Sequence, residues 1–476
     1  MMMSQVAQAL GATLHGDDVM MTGVSKDTRD IHAGDLYVAL KGERFDGHQF
    51  VADASSSGAV GALVSEALSL DVPQVQVDDT RIALGKLAAH WRQIWGHQQF
   101  NGKLIGITGS NGKTSVKEMC GKILSDHAGA SAVLSTKGNL NNDIGLPMTL
   151  LELTEQHQFA VIEMGANHVG EIDYLSEIAK PDVALVNNAG LAHLEGFGSL
   201  ENIAKSKAEI YNGMSESGVA VINQDDAFAS YWKDYCSNLK IISFSMQDES
   251  ADIYARFIEN NRYQIITDAE KADLTLSVPG KHNVMNALAA IAVTSSLGLS
   301  LQSIVSSLSA FENIQGRLSV KRSAVGYQLI DDTYNANPLS VTAAIDVLVS
   351  MHEQVRGDAV LVLGDMAELG EDAEKLHGEI GEKAKSAGIQ VLYATGKLSE
   401  STIDAFGENG FYFKNKNELI KALNKNLTAD EVVLVKGSRS AAMEEVVERI
   451  LTHQKRPEKG GNRATQEKLP NNKRVN

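Results

Sequence analysis

The chain has 476 residues, 43% hydrophobic and 22% charged, with a formal net charge of −17. That length exceeds one ordinary core and implies roughly two to four domains of a globular protein. The negative charge and 5% aromatic content exclude a general nucleic-acid binder, which needs a basic face. Two cysteines, Cys120 and Cys236, cannot build a disulfide framework, so a reducing cytoplasm is the expected location.

Taken in chain order, the first unit spans 1–80, with strands at Leu36–Leu40, Ala59–Val64 and Val72–Val77. Asp78, Asp79 and Thr80 then supply capping side chains for a helix over Ile82–Ile94. The second unit, 81–314, alternates strands and helices from Leu104 onward, with strands at Phe159–Met164, Val183–Asn187, Val219–Asn223 and Ile241–Phe244. This alternation predicts a mostly parallel sheet with helices on both faces. Ile253–Thr267 reads as an antiparallel excursion at its edge, turning around Glu259–Arg262. Asn283–Phe311 carries no charge, but Gly298 and several polar residues divide it into two helices, so no membrane span is expected. Nor does the start, Met1–Gln5, have the basic and apolar regions of a signal peptide. A third, smaller α/β unit of dinucleotide-fold type covers 315–453, with strands at Tyr327–Ile330, Ala359–Leu363, Val391–Thr395 and Val432–Val435. The basic, apolar-poor stretch 454–476 is expected to be disordered.

The chemistry centres on Gly106–Thr114, between the strand Leu104–Ile107 and a helix over Ser115–His127. A glycine-rich strand-to-helix turn ending in Gly112-Lys113-Thr114 is a phosphate-binding loop. Its backbone N–H groups cradle phosphate oxygens, Lys113 neutralises charge and the Thr114 hydroxyl can hold Mg²⁺. The strict pattern wants a glycine where Ile107 stands; Gly106 and Gly109 flank that position instead. In an open parallel sheet, ligands bind outside the carboxyl ends of the strands. Glu163 closes its strand there, as a carboxylate suited to Mg²⁺. His193 follows another strand on the same edge, as a ligand or as a capping residue. Thr136–Asp143 offers amides and a lysine, or a plain turn. His282 and Asn283 face outward from a helix start, for capping or for contact with a nucleotide base. Beyond them, Arg317 could stabilise a transferring phosphoryl group across a domain cleft, and a carboxylate in Asp331–Pro338 could bind ribose hydroxyls.

Together these residues resemble the Mur ligase family, ATP-dependent amide-forming enzymes of cytoplasmic peptidoglycan precursor synthesis. The resemblance extends to about Leu451 and rests on Thr108–Thr114, Asn139 with Asn141-Asn142, Glu163, His193, Lys207–Tyr211, Gly280–Asn283 and Arg317. It implies ATP at Gly109, Ser110, Asn111, Gly112, Lys113, Thr114 and Ser115, with His282, Asn283, Arg317 and Asp332. The catalytic set it implies is Lys113, Asn139, His193, Lys207 and Arg317, with two Mg²⁺ ions on Thr114, Glu163, His193 and Lys207. Asp332–Pro338 is similar to the signature of the member that joins UDP-N-acetylmuramoyl-tripeptide to D-alanyl-D-alanine, so those are the implied substrates, with Asn335 and Asn337 in contact. Thr28, Arg29, Lys41, Asp46, Gly47 and His48 belong to the region that, in the family, holds the UDP end. The expected enzyme is a monomer whose third unit closes over the second.

The Asp-Asn-Pro-Arg signature of the diaminopimelate-adding relative is absent. A folylpolyglutamate synthase would share the loop and lack Tyr334–Pro338. A P-loop regulatory GTPase would need an Asn-Lys-x-Asp motif, and none occurs; the nearest runs are 415–418 and 424–427. The family also implies a modified lysine near Lys207, for which Lys205 competes. Lys207 lies four residues after Ile203 and four before Tyr211, on the helix's apolar stripe. Lys205 is turned roughly 200° away, toward water. Lys207 is therefore the lysine expected to be carbamylated; pairing with Glu163 or Glu209 is the alternative.

Overall fold

The strands sort into three sheets, one for each successive region of the chain. The computed structural model describes residues 1–453 except 260, 278, 279 and 313. The expected disorder of 454–476 falls outside the described residues, as does Asn260 of the expected turn Glu259–Arg262.

The first sheet has five strands, in the order Thr13–His15, Gln74–Gln76, Gly61–Val64, Asp35–Val38 and Gly23–Ser25. Its first pairing is antiparallel and the others parallel. Thr13–His15 and Gly23–Ser25 were not expected from hydropathy, because three-residue strands carry no readable period. Asp79 caps the next helix, Thr80–Gln93, accepting from the N–H groups of Arg81 and Ile82 at 2.7 and 3.0 Å. That helix buries Ala83, Leu84 and Leu87 with the first sheet and Ala88 in the central core.

The central sheet has nine strands, and the chain enters it at Lys103–Thr108. One flank holds Phe159–Glu163 and then Val133–Ser135; the other runs Val183–Val186, Val219–Asn223, Lys240–Ser245, Ile253–Glu259, Arg262–Thr267 and Lys271–Thr275. Only the last two pairings are antiparallel, which forms the expected edge excursion. Both faces are buried, as a parallel sheet requires. Ile105, Ile107, Val161 and Leu185 enter one core, while Leu104, Ala160 and Ile162 enter the other. Burying each Leu or Ile contributes roughly 1.5–3 kcal/mol. Helices Lys113–Ala128 and Lys281–Ser296 cover the first face, and Glu171–Ala179 and Leu200–Ala208 the second. The uncharged stretch forms two helices, the second being Leu301–Ser309, parted at Gly298, where φ is +89°. Among the described residues, no helix is long and apolar enough to cross a membrane.

The third sheet has six strands, in the order Ser319–Arg322, Gln328–Asp332, Val432–Lys436, Ala359–Leu363, Val391–Thr395 and Gly410–Phe413, all parallel except the first pairing. In the central sheet the chain builds one flank, then crosses Lys103–Thr108 to build the other. That reversal opens a crevice at the carboxyl end of Lys103–Thr108. Polar residues at the strand ends of the third sheet face it.

Candidate active site

The loop between strand and helix turns on two glycines, Gly109 at φ +147° and Gly112 at +79°. A Cβ on Gly112 would collide with the side chains of Asn286 and Asn187. Ile107, where the strict pattern wants glycine, is fully buried within the strand, so the tight turn falls to Gly109. No side chain caps the helix start at Lys113. Its first-turn N–H groups, which as in any helix have no intrahelical acceptor, thus have no capping side chain either, and Gly112, Lys113, Thr114 and Ser115 line a cleft of about 800 Å³. Free amides and the helix dipole make this an anion site.

Asparagines hold the loop in shape. Asn188 accepts from the Asn111 N–H at 2.9 Å and donates to the Asn111 carbonyl at 3.0 Å; Asn187 donates to that same carbonyl at 2.9 Å. The Ser110 hydroxyl donates to the Gly190 carbonyl and accepts from its N–H, both at 2.9 Å. Lys113 Nζ curls back to the Gly109 carbonyl at 2.6 Å. Burial pulls its pKa below the ordinary lysine range, Glu163 opposes that, and the Arg317 charge adds to it.

Beside the loop lies a set of oxygen donors. Thr114 Oγ1 donates to Glu163 Oε2 at 2.9 Å, and Asn141 Nδ2 donates to Glu163 Oε1 at 2.8 Å. Asn139 lines the cleft, but the amide that reaches Glu163 is Asn141's. A hydroxyl and a carboxylate next to a phosphate cradle fit a hard divalent cation that completes its shell with phosphate and water oxygens. Among the described residues, no three His, Cys, Asp or Glu side chains form a preformed metal cluster.

His193 also lines the cleft, at φ +54°. Its Nδ1 lies 2.5 Å from Glu368 Oε2, which comes from the C-terminal unit at an equally unusual φ of +61°. Burial pulls the imidazole pKa down and Glu368 opposes. Lys207 is 2% exposed and Lys205 is exposed, the order that the helical register requires. The Lys207 ammonium lies 5.3 Å from the centre of the Phe197 ring, and among the described residues it has no carboxylate within 4.0 Å. Burial, then the charge of Lys113, pulls its pKa down to about 7.

The opposite wall belongs to the C-terminal unit. Arg317 Nη2 donates to Thr114 Oγ1 at 3.0 Å, and the guanidinium lies 4.0 Å from the centre of the Tyr334 ring. Asn337 caps the helix Pro338–His352 through its oxygen, and its Nδ2 donates to Asn111 Oδ1 at 2.8 Å. Asn335 lines the cleft with its oxygen turned to the Ala336 N–H. Asp332 is 8% exposed: Oδ1 accepts from the Leu318 N–H at 3.2 Å and Oδ2 from Lys436 Nζ at 2.5 Å. Each oxygen thus has a partner within the protein, and Asp332 also lines the cleft, where ribose contact was expected. Lys436 was not anticipated, because the run Val432–Val435 reads as a strand ending one residue earlier. His282 and Asn283, expected to face outward, line the cleft, with Asn283 7% exposed. His282 Nε2 is buried and, among the described residues, has no hydrogen-bond partner, which leaves it for a ligand.

A second cavity, of about 340 Å³, opens in the N-terminal unit, lined by Thr28, Arg29, Tyr37, Phe45, Gly47 and Phe50 among others. Phe45 is 60% exposed at its edge. A Cβ on Gly47 would meet Leu40 backbone at 2.7 Å. Lys41, Asp46 and His48 are not among the residues that line it. His48 Nδ1 lies 2.6 Å from Asp46 Oδ1, its Nε2 accepts from the Ser65 N–H at 2.8 Å, and Lys41 sits 3.8 Å from Asp46. These three hold the loop that carries Gly47.

Residues 107–294 match the Mur ligase middle domain, 316–439 the Mur ligase glutamate ligase domain, and 20–92 the Mur ligase family catalytic domain. The chain is 45% identical to the UDP-N-acetylmuramoyl-tripeptide–D-alanyl-D-alanine ligase of Escherichia coli (strain K12), across 94% of this chain and 97% of that one. The chain belongs to the Mur ligase family. Its fold superposes on a MurF crystal structure from Acinetobacter baumannii with a TM-score of 0.86 at 38% identity, covering 94% of this chain and 98% of that one. The MurF ligase of Thermotoga maritima, solved in complex with ADP, gives 0.79 at 28% identity, with 90% and 97% covered. Within the Mur ligase fold, the cleft lies where the middle and glutamate ligase domains meet.

Proposed function

We propose that this Mur ligase uses ATP to join UDP-N-acetylmuramoyl-tripeptide to D-alanyl-D-alanine in peptidoglycan precursor synthesis. The observation that carries the reading is the pair of contacts across the cleft. Arg317 reaches Thr114 and Asn337 reaches Asn111, so the Asp332–Pro338 segment faces the phosphate loop. The named relatives, similar over nearly the whole chain, support the choice of substrates.

In this reading the tripeptide carboxylate attacks the γ-phosphate of ATP, releasing ADP and forming an acyl phosphate. The dipeptide amine then attacks the acyl carbon, and a tetrahedral intermediate collapses to the amide and free phosphate. No protein nucleophile is needed. The chain's residues position two anions against each other and cancel charge, with loop amides and Lys113 on one side and Arg317 on the other. Thr114, Glu163 and His193 would hold Mg²⁺, which supplies Lewis-acid neutralisation of phosphate oxygens. A carbamate on Lys207, formed from its neutral amine and CO₂, would add an anionic oxygen ligand for a second ion. The burial of Lys207, with no carboxylate within 4.0 Å among the described residues, and its lowered pKa favour that reading over a simple ion pair. The N-terminal cavity would take the UDP end of the substrate.

The experiment offers ATP, Mg²⁺ and the UDP-tripeptide with D-alanyl-D-alanine, free D-alanine, D-glutamate or diaminopimelate in turn, and reads amide product by mass. Product with the dipeptide at a rate at least about tenfold above every other amine supports the assignment, a margin of about 1.4 kcal/mol. Robust turnover with a free amino acid, and none with the dipeptide, contradicts it.

A further inference from the structure

Lys436 is buried at 2% exposure and is not used by the reaction as described above. It ends the strand Val432–Lys436, in direct register with Asp332 at the end of the neighbouring parallel strand. Its ammonium donates to Asp332 Oδ2 at 2.5 Å and to the Asn335 carbonyl at 2.9 Å. Asp332 in turn uses its other oxygen to accept the Leu318 N–H at 3.2 Å.

That amide belongs to the turn that carries Arg317. Gly316 stands at φ +74° and Leu318 at +51°. A leucine in the left-handed region persists only where its surroundings hold it there, and such strain clusters at functional sites. Hydrogen bonds hold the turn from both sides: Asp332 on the Leu318 side, the Tyr334 N–H donating to the Gly316 carbonyl at 3.1 Å on the other, and the Arg317 N–H donating to the Ile314 carbonyl at 3.0 Å. Between them Arg317 projects over the Tyr334 ring to Thr114.

We propose that Lys436 is a positioning residue for phosphoryl transfer: it neutralises and orients Asp332, which thereby holds the strained turn that aims Arg317 at the phosphate loop. The proposal rests on the ligase reading for the reaction served, while the chain of contacts belongs to the protein alone. A buried carboxylate is tolerated only when paired. Without Lys436, Asp332 would have Arg317 as its next cation, close enough that its charge already acts on Lys436. Asp332 would then change from the anchor of the turn to a competitor for the guanidinium, drawing it off Thr114.

The test uses full-length Lys436→Met, Asp332→Asn and the double variant, with ADP affinity by calorimetry and steady-state kinetics for each. Lys436→Met is expected to weaken ADP about tenfold and lower kcat about a hundredfold, with the KM of the UDP-linked substrate within about twofold. Adding Asp332→Asn removes the stranded carboxylate but keeps an oxygen acceptor for Leu318. It is expected to restore kcat to within about fivefold of Asp332→Asn alone, since coupled sites are not additive. A double variant as impaired as Lys436→Met overturns the proposal, because it would mean that Lys436 touches a ligand itself. Should Lys436→Met fail to fold, the double variant, which buries no charge, decides alone by the same fivefold criterion. ADP binding needs neither the amine nor the UDP substrate, so an incorrect substrate assignment leaves that readout intact.

Discussion

Lys207→Ala is expected to lose turnover by about three orders of magnitude, while Lys205→Ala stays within about twofold of wild type. The two lysines share one short helix, and its register separates them, with Lys207 against the sheet and Lys205 in water. A permanently charged lysine would be costly at 2% exposure, where Glu209 and Glu171 offset only part of the effect of burial and of Lys113. Its pKa, pulled down to about 7, leaves much of the amine neutral near pH 7, and carbamate formation requires that neutral form. As pH falls below about 7 the amine protonates and carbamate occupancy declines, while above it occupancy is limited by dissolved CO₂. Labelling with ¹³C-bicarbonate should give one carbamate resonance in wild type and Lys205→Ala and none in Lys207→Ala. If Lys205→Ala abolishes activity while Lys207→Ala keeps it, the register assignment fails.

Arg317→Ala is the second large loss, expected to lower kcat by about a thousandfold, the lower end of what an arginine contributes to phosphoryl transfer. The guanidinium is held by stacking on Tyr334 and by its bond to Thr114, so both its plane and its charge are used. Lysine has neither the plane nor the forked donors, and Arg317→Lys is expected to recover no more than about tenfold. Because Arg317 is not among the residues that line the N-terminal cavity, the KM of the UDP-linked substrate should change little. A kcat within tenfold of wild type for Arg317→Ala would remove Arg317 from the reaction.

The parts of this site legible in the sequence are those written in consecutive residues. Gly109–Thr114 between an apolar strand and an amphipathic helix needs no tertiary information, and Glu163 and His193 follow from their places after apolar runs. The long strands were equally plain, whereas Thr13–His15, Val133–Ser135 and Ser319–Arg322 exist only because a neighbour pairs with them. What could not be read depends on residues far apart in sequence. Lys436 looks like the solvated end of a strand until the 104-residue step back to Asp332 is closed. Glu368 sits in an acidic loop, and neither its left-handed backbone nor its approach to His193 leaves a local signature. His48 carries the chemistry of a ligand-binding residue, yet Asp46 and Ser65 use both of its ring nitrogens.

The most direct test of the central claim is phosphate release by the purified enzyme with ATP, Mg²⁺ and UDP-N-acetylmuramoyl-tripeptide, with and without D-alanyl-D-alanine. Sustained release of one phosphate per amide formed, lost when either the dipeptide or the UDP-tripeptide is withheld, is the predicted result. Sustained phosphate release that continues unchanged without the dipeptide, or no release with all components present, would contradict it.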